Sequence, residues 1–339
     1  MIAATGTLIA AAFVLIIAAV RLTKAADAIA EWTGIGRIWI GVVLVAGATS
    51  LPEAAVDVSA VRMSAPDIAA GDLFGSSMAN MLILAIVDLW PPGRRLLRGA
   101  ALDHALAACF AILLNAMAAV SVLLRPSHEV FGFSLGSIMI LAVYLAGIRV
   151  VYRQTMNSRE VPAITAARTG DPAPRASIVR FALSALTILV VAPFFAGAAK
   201  DVAELSGLSS TFVGTFLVGL STSVPELVSS LAAVKMGAFD LAVGNLFGSN
   251  AFNMVVFFAM DAASPTPIFA SLDATHGVTA LFAIVLMALG TAAIVYRAEL
   301  RYRMIEPDSL LMVAVYVVAL WLVFTHATHN GVSLPGHPG

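Results

Sequence analysis

The chain has 339 residues, of which 60% are hydrophobic and only 12% charged, and its mean hydropathy is +0.96. A soluble domain carries roughly a quarter charged residues, so water is not the main solvent of this chain. The formal net charge of −1 offers no basic surface for nucleic acid. The single cysteine, Cys109, excludes an intrachain disulfide and a multi-cysteine metal site.

Apolar runs separated by charged, Pro or Gly residues predict ten membrane-spanning helices, since about 20 apolar residues cross a hydrocarbon core of about 30 Å. The runs are centred near residues 13, 48, 80, 111, 141, 189, 222, 250, 284 and 317. A polar stretch divides them five and five. We therefore predict an all-α polytopic membrane protein with a first five-helix repeat at 1–152, a linker at 153–176, a second five-helix repeat at 177–327 and a C-terminal tail at 328–339.

The positive charges predict an orientation for these helices. Of the 19 Lys and Arg residues, all but Arg62, Arg125 and Lys200 fall on one side of the ten-helix arrangement. Because cytoplasmic loops carry the excess of Lys and Arg, we expect the linker in the cytoplasm and both termini outside. Arg21 and Lys24 follow the first apolar run instead of preceding it, which argues against a cleaved signal peptide. We expect a prokaryotic-type inner or plasma membrane.

The second and third predicted helices of each half contain a duplicated segment. It reads TSLPEAAVDVSAVRMSAPDIAAGDLFGSSMANM at Thr49–Met81 and TSVPELVSSLAAVKMGAFDLAVGNLFGSNAFNM at Thr222–Met254, an offset of 222 − 49 = 173 residues. Of the 33 aligned columns 17 are identical, among them Gly, Pro and polar positions that shared hydrophobicity does not explain. Five helices per half is an odd number, so the second half enters the membrane upside down. Inverted repeats with broken helices are typical of secondary transporters.

Each copy carries a proline and a glutamate in mid-membrane. Pro52 and Pro225 each remove a backbone donor, so we expect each helix to break there. Carbonyls freed by such a break must be satisfied by protein, water or an ion. Glu53 and Glu226 follow the prolines directly, and an ionisable group at the bilayer centre costs about 2.5 to 3.5 kcal/mol on insertion scales. Such residues indicate a functional site. The carbonyls expected to be freed are those of Ala46, Thr49, Gly219 and Thr222.

Further oxygen-bearing side chains lie at matching positions of the two copies. Spacing of four residues places Ser76 with Asn80, and Ser249 with Asn253, on one helical face. Carboxylates, carbonyls and hydroxyls are the ligands that hard cations such as Ca²⁺ prefer. We therefore predict a cation site with these ligand candidates from the two copies: Glu53, Thr49, Ser50, Ser76 and Asn80, with Glu226, Thr222, Ser223, Ser249 and Asn253.

Further acids lie within the duplicated segments. Asp57 lies one turn beyond Glu53, and it fits a proton site, an entrance charge or a solvated helix end. Its equivalent in the second copy is Ser230. Asp67 and Asp240 follow expected turns, where they are predicted to be structural helix caps.

The segments GATSLPE with GDLFGSSMANM, and STSVPE with GNLFGSNAFNM, resemble the two alpha repeats of the calcium/cation antiporter superfamily, in particular its sodium/calcium exchangers. The resemblance implies that Glu53 and Glu226 are central ligands shared by Ca²⁺ and Na⁺. It also implies that the Thr, Ser and Asn side chains predicted above join them, with the backbone carbonyls of Ala46, Thr49, Gly219 and Thr222.

The sequence departs from that family at several positions. Ala48 and Ser221 replace the usual Gly before each Thr, which affects the width of the expected helix break. Asn253 stands where many relatives, notably the potassium-dependent exchangers, have Asp, so potassium dependence is not expected. In the first copy Asp72 and Ser77 replace the usual Asn residues.

The predicted function is a secondary active antiporter that exchanges Ca²⁺ for Na⁺ by alternating access. It is not an enzyme, and it needs no cofactor beyond the transported ions. The expected partners are Ca²⁺, Na⁺ and the lipid bilayer, and a monomer is sufficient. An antiporter of the same fold that couples to H⁺ or carries another divalent cation is the alternative. A passive cation channel and an intramembrane aspartyl protease using Asp57 and Asp72 are the rival classes, although the protease leaves the duplication unexplained.

Overall fold

The fold is known from a computed structural model, which describes residues 2–34, 36–64, 66–89, 103–126, 128–157, 174–205, 222–296 and 307–330. In the first half the helices are α1 (Ile2–Thr33), α2 (Arg37–Trp39), a π-helical turn (Ile40–Val45), α3 (Ala46–Arg62), α4 (Pro66–Leu89), α5 (Asp103–Leu124) and α6 (Leu135–Asn157). A two-stranded antiparallel hairpin, β1 (Glu129–Val130) and β2 (Phe133–Ser134), joins α5 to α6.

The second half repeats this order. Its helices are α7 (Pro174–Leu205), α8 (Val224–Lys235), α9 (Phe239–Ala263), α10 (Ile268–Ser271), α11 (His276–Tyr296) and α12 (Pro307–Asn330). The duplication seen in the sequence extends to the helix starts, because 239 − 66 and 276 − 103 both equal 173. The two halves are therefore built on one five-helix plan.

The described helices have the length and composition of membrane spans. Eight of those in the described residues are long and apolar enough to cross a bilayer, and α12 adds a shorter apolar stretch, Pro307–Leu322. Helix α8 has 12 described residues, and residues 206–221 before it lie outside the described part. The predicted all-α membrane fold is confirmed, and the expected count of ten helices is consistent with it.

Helices α3, α4 and α9 form the centre of the bundle, because they are the most buried. In α9 83% of the span is buried, whereas in α7 the share is 17%. Helices α1 and α7 pack along each other at the periphery, and large apolar side chains of α7 such as Leu183 and Leu186 are exposed. Exposed apolar residues of this kind suit contact with lipid tails.

The predicted helix break at Pro52 is wrong in its position. Helix α3 continues through Pro52, and the backbone instead departs from α-helical geometry about two turns earlier, in the π-helical turn Ile40–Val45. A π-helical turn contains one residue more than an α-helical turn. The pattern of backbone hydrogen bonds therefore changes before the helix reaches Pro52. In the second half Pro225 lies in the first turn of α8, where the missing N–H costs nothing. The two prolines thus occupy different local structures.

Two aspartates clamp helix ends at equivalent places. Asp261, at the end of α9, accepts hydrogen bonds from the Ser134 hydroxyl at 3.0 Å and from the Ile268 backbone N–H at 2.7 Å. Asp88 lies at the equivalent position, 261 − 173 = 88, at the end of α4. It accepts a hydrogen bond from the Ser309 hydroxyl at 2.6 Å. Each clamp fixes the end of a central helix to the start of the last helix of a half.

Asp67 and Asp240 are not helix caps, contrary to the sequence prediction. Both lie inside the first turn of their helices, and Ala238 is the residue that precedes α9. Asp67 lies 3.1 Å from the ring of His276, and Asp240 lies 2.9 Å from the ring of His104. These contacts join the start of α4 to α11 and the start of α9 to α5, so both acids are structural but bind a neighbouring helix.

Glycines let α9 pack directly against the backbone of the π-helical segment. A Cβ on Gly248 would lie 2.6 Å from Val42 Cα and 2.8 Å from Ala46 Cβ. A Cβ on Gly41 would lie 2.8 Å from the Leu241 carbonyl oxygen. Such contacts leave no room for a side chain, and small residues are the usual means of close helix approach in membranes.

We predict that Gly248→Ala lowers stability by about 1 to 3 kcal/mol, because the added methyl group meets backbone that cannot move aside. The measurement is the melting temperature of the purified protein in detergent. The control is Gly6→Ala on α1, where an added Cβ meets nothing within 4 Å. An unchanged melting temperature for Gly248→Ala would contradict the close packing of α9 on the π-helical segment.

Candidate cation-binding site

Glu53 and Glu226 meet inside the bundle although they are far apart in sequence. Glu53 projects from the middle of α3, and Glu226 from the first turn of α8. Both side chains are fully buried. A carboxylate in such a place needs hydrogen-bond donors or a cation to offset the loss of water.

The two glutamates are held by hydrogen bonds that cross between the repeats. The Ser223 hydroxyl donates to Glu53 Oε1 at 3.1 Å, and the Ser50 hydroxyl donates to Glu226 Oε1 at 3.1 Å. Each serine precedes the glutamate of its own repeat by three residues, yet it binds the glutamate of the other repeat. The two halves therefore build one site in common.

Two further serines approach the glutamates from within their own repeats. Ser249 on α9 donates to Glu226 Oε1 at 3.5 Å. Ser76 on α4 lies beside Glu53 in the equivalent position. Both serines are fully buried.

The two predicted asparagines lie differently. Asn253 contacts Glu53 Oε2 at 3.3 Å, and with its amide nitrogen turned to that oxygen it also donates to the Ser249 carbonyl at 3.1 Å. This orientation is assigned from the surrounding hydrogen bonds. Asn80 instead donates to the side-chain oxygen of Asn250 at 2.9 Å. The Asn80 amide oxygen is buried and meets no hydrogen-bond donor in the described part of the chain.

The two threonines also contact polar groups of this cluster, and the Thr49 side chain lies beside Glu226. The Thr49 hydroxyl donates to the carbonyls of Val45 at 3.0 Å and of Ala46 at 3.2 Å, and lies 3.3 Å from Asn245 Oδ1. The Thr222 hydroxyl lies 3.4 Å from Asp72 Oδ1. Gly219, the remaining predicted ligand, lies outside the described residues.

An amide network that the sequence did not indicate supports the site. Asn250 also donates to the Ser77 carbonyl at 3.2 Å. Asn115 on α5 donates to the Asn250 carbonyl at 3.3 Å. Asn250 is the repeat equivalent of Ser77. The polar residue at both positions is the feature of the sequence that could have predicted this network. Asn115 lies outside the duplicated segment, and a lone buried amide in an apolar run was the only hint.

The site is rich in oxygen, and no protein cation pairs with its glutamates in the described part of the chain. Among the described residues, no Lys, Arg or His forms an ion pair with Glu53 or Glu226. Nor do the described residues gather three or more His, Cys, Asp or Glu side chains into a metal cluster. Two carboxylates surrounded by hydroxyl and amide groups suit a hard cation better than a transition metal.

Asp57 and Asp72 are also buried, close to this cluster. Asp57 is 1% exposed and Asp72 is 8% exposed. The solvated helix end that was one alternative for Asp57 is therefore excluded.

The inverted repeats and the buried oxygen cluster between them define a multi-pass membrane transporter and not an enzyme. The family model of the sodium/calcium exchanger protein matches residues 3–152 and 176–325. The chain belongs to this family of cation antiporters.

Relatives and solved structures agree with this assignment. The chain is 29% identical over 269 residues to the inner membrane protein YrbG of Escherichia coli (strain K12), a match that covers 77% of this chain and 80% of the relative. It is 26% identical over 268 residues to the sodium/calcium exchanger MaX1 of Methanosarcina acetivorans, covering 70% and 76%. The sodium-calcium exchanger NCX_Mj has the same fold, with a TM-score of 0.73 at 24% identity over 94% of this chain and 98% of that chain.

We predict that Ser50→Ala and Ser223→Ala each weaken Ca²⁺ binding by about 10-fold or more, because each removes a hydroxyl that is a predicted ligand and that also orients the glutamate of the other repeat. The measurement is equilibrium binding of ⁴⁵Ca²⁺ to purified protein. Ser59→Ala is the control, since the Ser59 side chain is exposed and its hydroxyl donates to the Ala55 carbonyl of its own helix. Loss of affinity in only one of the two site variants would contradict a site shared equally by the repeats.

Proposed function

We propose that the chain exchanges Ca²⁺ for Na⁺ across the membrane by alternating access, with Glu53 and Glu226 as the central ligands for both ions. One observation carries the proposal: each buried glutamate accepts a hydrogen bond at 3.1 Å from a serine of the opposite repeat. A site built in this way depends on how the two halves meet. Movement of one half against the other changes the exposure of the site without dismantling either half.

The charges of the site support exchange in place of simultaneous binding. Two carboxylates are neutralised by one Ca²⁺ or by two Na⁺, and both loads together would leave excess positive charge in a low-dielectric interior. Binding of one ion therefore displaces the other. The remaining ligands in the proposal are neutral oxygens: the side chains of Thr49, Thr222, Ser50, Ser223, Ser76, Ser249, Asn80 and Asn253, and the carbonyls of Ala46, Thr49, Gly219 and Thr222.

We predict that Glu53→Gln and Glu226→Gln each reduce Na⁺-driven ⁴⁵Ca²⁺ uptake into proteoliposomes by about 100-fold or more. Loss of a charged ligand is expected to cost more than the roughly 10-fold to 100-fold effect of losing a group that holds a ligand in place. Glu129→Gln in the exposed hairpin is the matched control. Uptake that survives both site substitutions would refute the proposed site.

An antiporter of the same fold that couples to H⁺, or that carries another divalent cation, is the alternative. Two observations favour it: among the described ligand candidates only Glu53 and Glu226 are acids, since Asn253 beside Glu53 is neutral, and Asp57 is a further buried acid close to them. Uptake of ⁴⁵Ca²⁺ into the same proteoliposomes under a pH gradient without Na⁺ tests this alternative. Uptake that needs the pH gradient and ignores Na⁺ would replace Na⁺ by H⁺ as the coupling ion.

We further propose that the linker 153–176 is cytoplasmic and that both termini lie outside, in a prokaryotic-type inner or plasma membrane. The support is the bias of Lys and Arg to one side of the bundle. The proposed division into repeats at 1–152 and 177–327, with a tail at 328–339, follows the same arrangement. A single copy contains the whole proposed site, so a monomer is sufficient.

In a Cys109→Ala background, a cysteine introduced by Thr165→Cys in the linker is predicted to react with an impermeant maleimide only after the membrane is opened. A second cysteine, introduced by Gly339→Cys at the C-terminus, is predicted to react in intact cells. The measurement is labelling detected by gel mobility. The reverse pattern would invert the proposed orientation.

A further inference from the structure

Asn250 lies in the middle of α9 and is fully buried. It follows Ser249 and precedes Asn253, and both of those side chains contact a central glutamate. The hydrogen bonds of the Asn250 side chain go instead to α4, where its nitrogen donates to the Ser77 carbonyl at 3.2 Å. Asn250 is therefore next to the ligand candidates and bonded to the helix of the other repeat.

The contact between Asn250 and Ser77 joins equivalent positions of the two repeats, because 250 − 77 = 173. Inverted repeats are related by a pseudo-two-fold axis in the membrane plane. A residue that contacts its own equivalent lies on that axis, so Asn250 marks the place where the two halves cross. Asn115 on α5 contacts the backbone at the same place, since it donates to the Asn250 carbonyl at 3.3 Å.

The hydrogen bonds of Asn250 determine which way the Asn80 amide points. A backbone carbonyl only accepts hydrogen bonds, so the atom of Asn250 that faces the Ser77 carbonyl is its nitrogen. The Asn250 oxygen then faces Asn80 and accepts a hydrogen bond from the Asn80 nitrogen at 2.9 Å. Because the Asn80 nitrogen is bonded to Asn250, the Asn80 oxygen points to the other side of the amide.

That oxygen of Asn80 is buried, and no hydrogen-bond donor meets it within the ranges that the structure describes. Buried polar atoms are almost always satisfied. Asn80 is four residues from Ser76 and lies on the same face of α4. An amide oxygen suits a hard cation as a ligand, whereas the amide nitrogen is a hydrogen-bond donor and repels it.

The equivalent place in the other repeat is built differently. The Ser77 hydroxyl donates to a carbonyl of its own helix at 2.9 Å. Asn253, which is the equivalent of Asn80, contacts Glu53. The two repeats thus share the asparagine that is a ligand candidate and differ in what holds it. An amide at position 250 is not a requirement of the repeated fold.

We propose that Asn250 is a positioning residue of the central site, which turns the Asn80 oxygen toward the transported Ca²⁺ and raises the affinity for that ion without binding it. The inference rests on the proposed function, in which Asn80 is one of the ligands. Without Asn250, the Asn80 amide can present its nitrogen as readily as its oxygen. The site then has one oxygen fewer in part of the molecules.

The test is equilibrium binding of ⁴⁵Ca²⁺ to the purified full chain, with Asn250→Ala measured in two backgrounds. In the otherwise unaltered chain, we expect Asn250→Ala to weaken Ca²⁺ binding by about 10-fold or more. In an Asn80→Asp chain, we expect Asn250→Ala to cause no such loss, because a carboxylate has an oxygen on both sides and needs no orientation. The control is Thr155→Val, since the buried Thr155 hydroxyl donates to a carbonyl of its own helix.

Two results would overturn the inference. The first is a Ca²⁺ affinity of Asn250→Ala equal to that of the unaltered chain. The second is an equal loss of affinity in both backgrounds, which would show that Asn250 only supports the packing of α9 against α4. Should Asn250→Ala not fold, Asn250→Ser is measured in the same two backgrounds with the same expectations, since serine is the residue of the other repeat at this place.

Failure of this inference is separable from failure of the proposed function. The variant Glu53→Gln/Glu226→Gln is measured in the same binding experiment. Unchanged ⁴⁵Ca²⁺ binding in the glutamate variant refutes the proposed function, because its two central ligands would then be unnecessary. Unchanged binding in Asn250→Ala, beside a loss in the glutamate variant, refutes only the positioning role of Asn250.

Discussion

The burial of two carboxyl groups at the centre of an apolar bundle is the constraint on which the rest of this structure depends. Neither glutamate has a protein cation beside it in the described residues, and a buried carboxylate without compensation costs far more than a folded protein can tolerate. Hydroxyl and amide groups from both repeats surround the pair. They reduce the cost but carry no positive charge, and in the proposed function a mobile cation supplies that charge.

Close packing is what makes this polar centre possible. Gly41, Gly244 and Gly248 bring the backbone of α9 against the π-helical segment, so that the oxygens of α3 and α9 come within reach of one another. The aspartate clamps at Asp88 and Asp261 then hold the far ends of α4 and α9. Together these contacts hold the helices in place around the site.

The two repeats differ in part of their polar residues and in their local backbone. The crossed hydrogen bonds of Ser50 and Ser223 are alike in length, whereas Asp57 and Asp72 stand opposite the neutral Ser230 and Asn245. Local backbone has diverged as well, since Pro52 lies inside a continuous helix and Pro225 begins one. Thr, Ser, Pro and Glu stand at the same places in both motifs. Pattern reasoning on the motif therefore could not distinguish the two local structures, and at Pro52 it predicted the break in the wrong place.

The amino-acid sequence by itself determined the membrane environment, the duplication, its inverted arrangement and the residue types of the site, because hydropathy and a repeated string of polar residues are local properties. It also identified the two glutamates, since acids are costly in a bilayer wherever the chain folds. Only the tertiary structure decided which hydroxyl meets which glutamate, that Asn80 contacts Asn250, and that Asp67 and Asp240 bind histidines of neighbouring helices. These pairings join residues more than a hundred positions apart, and such distances are fixed by helix packing and not by spacing along the chain.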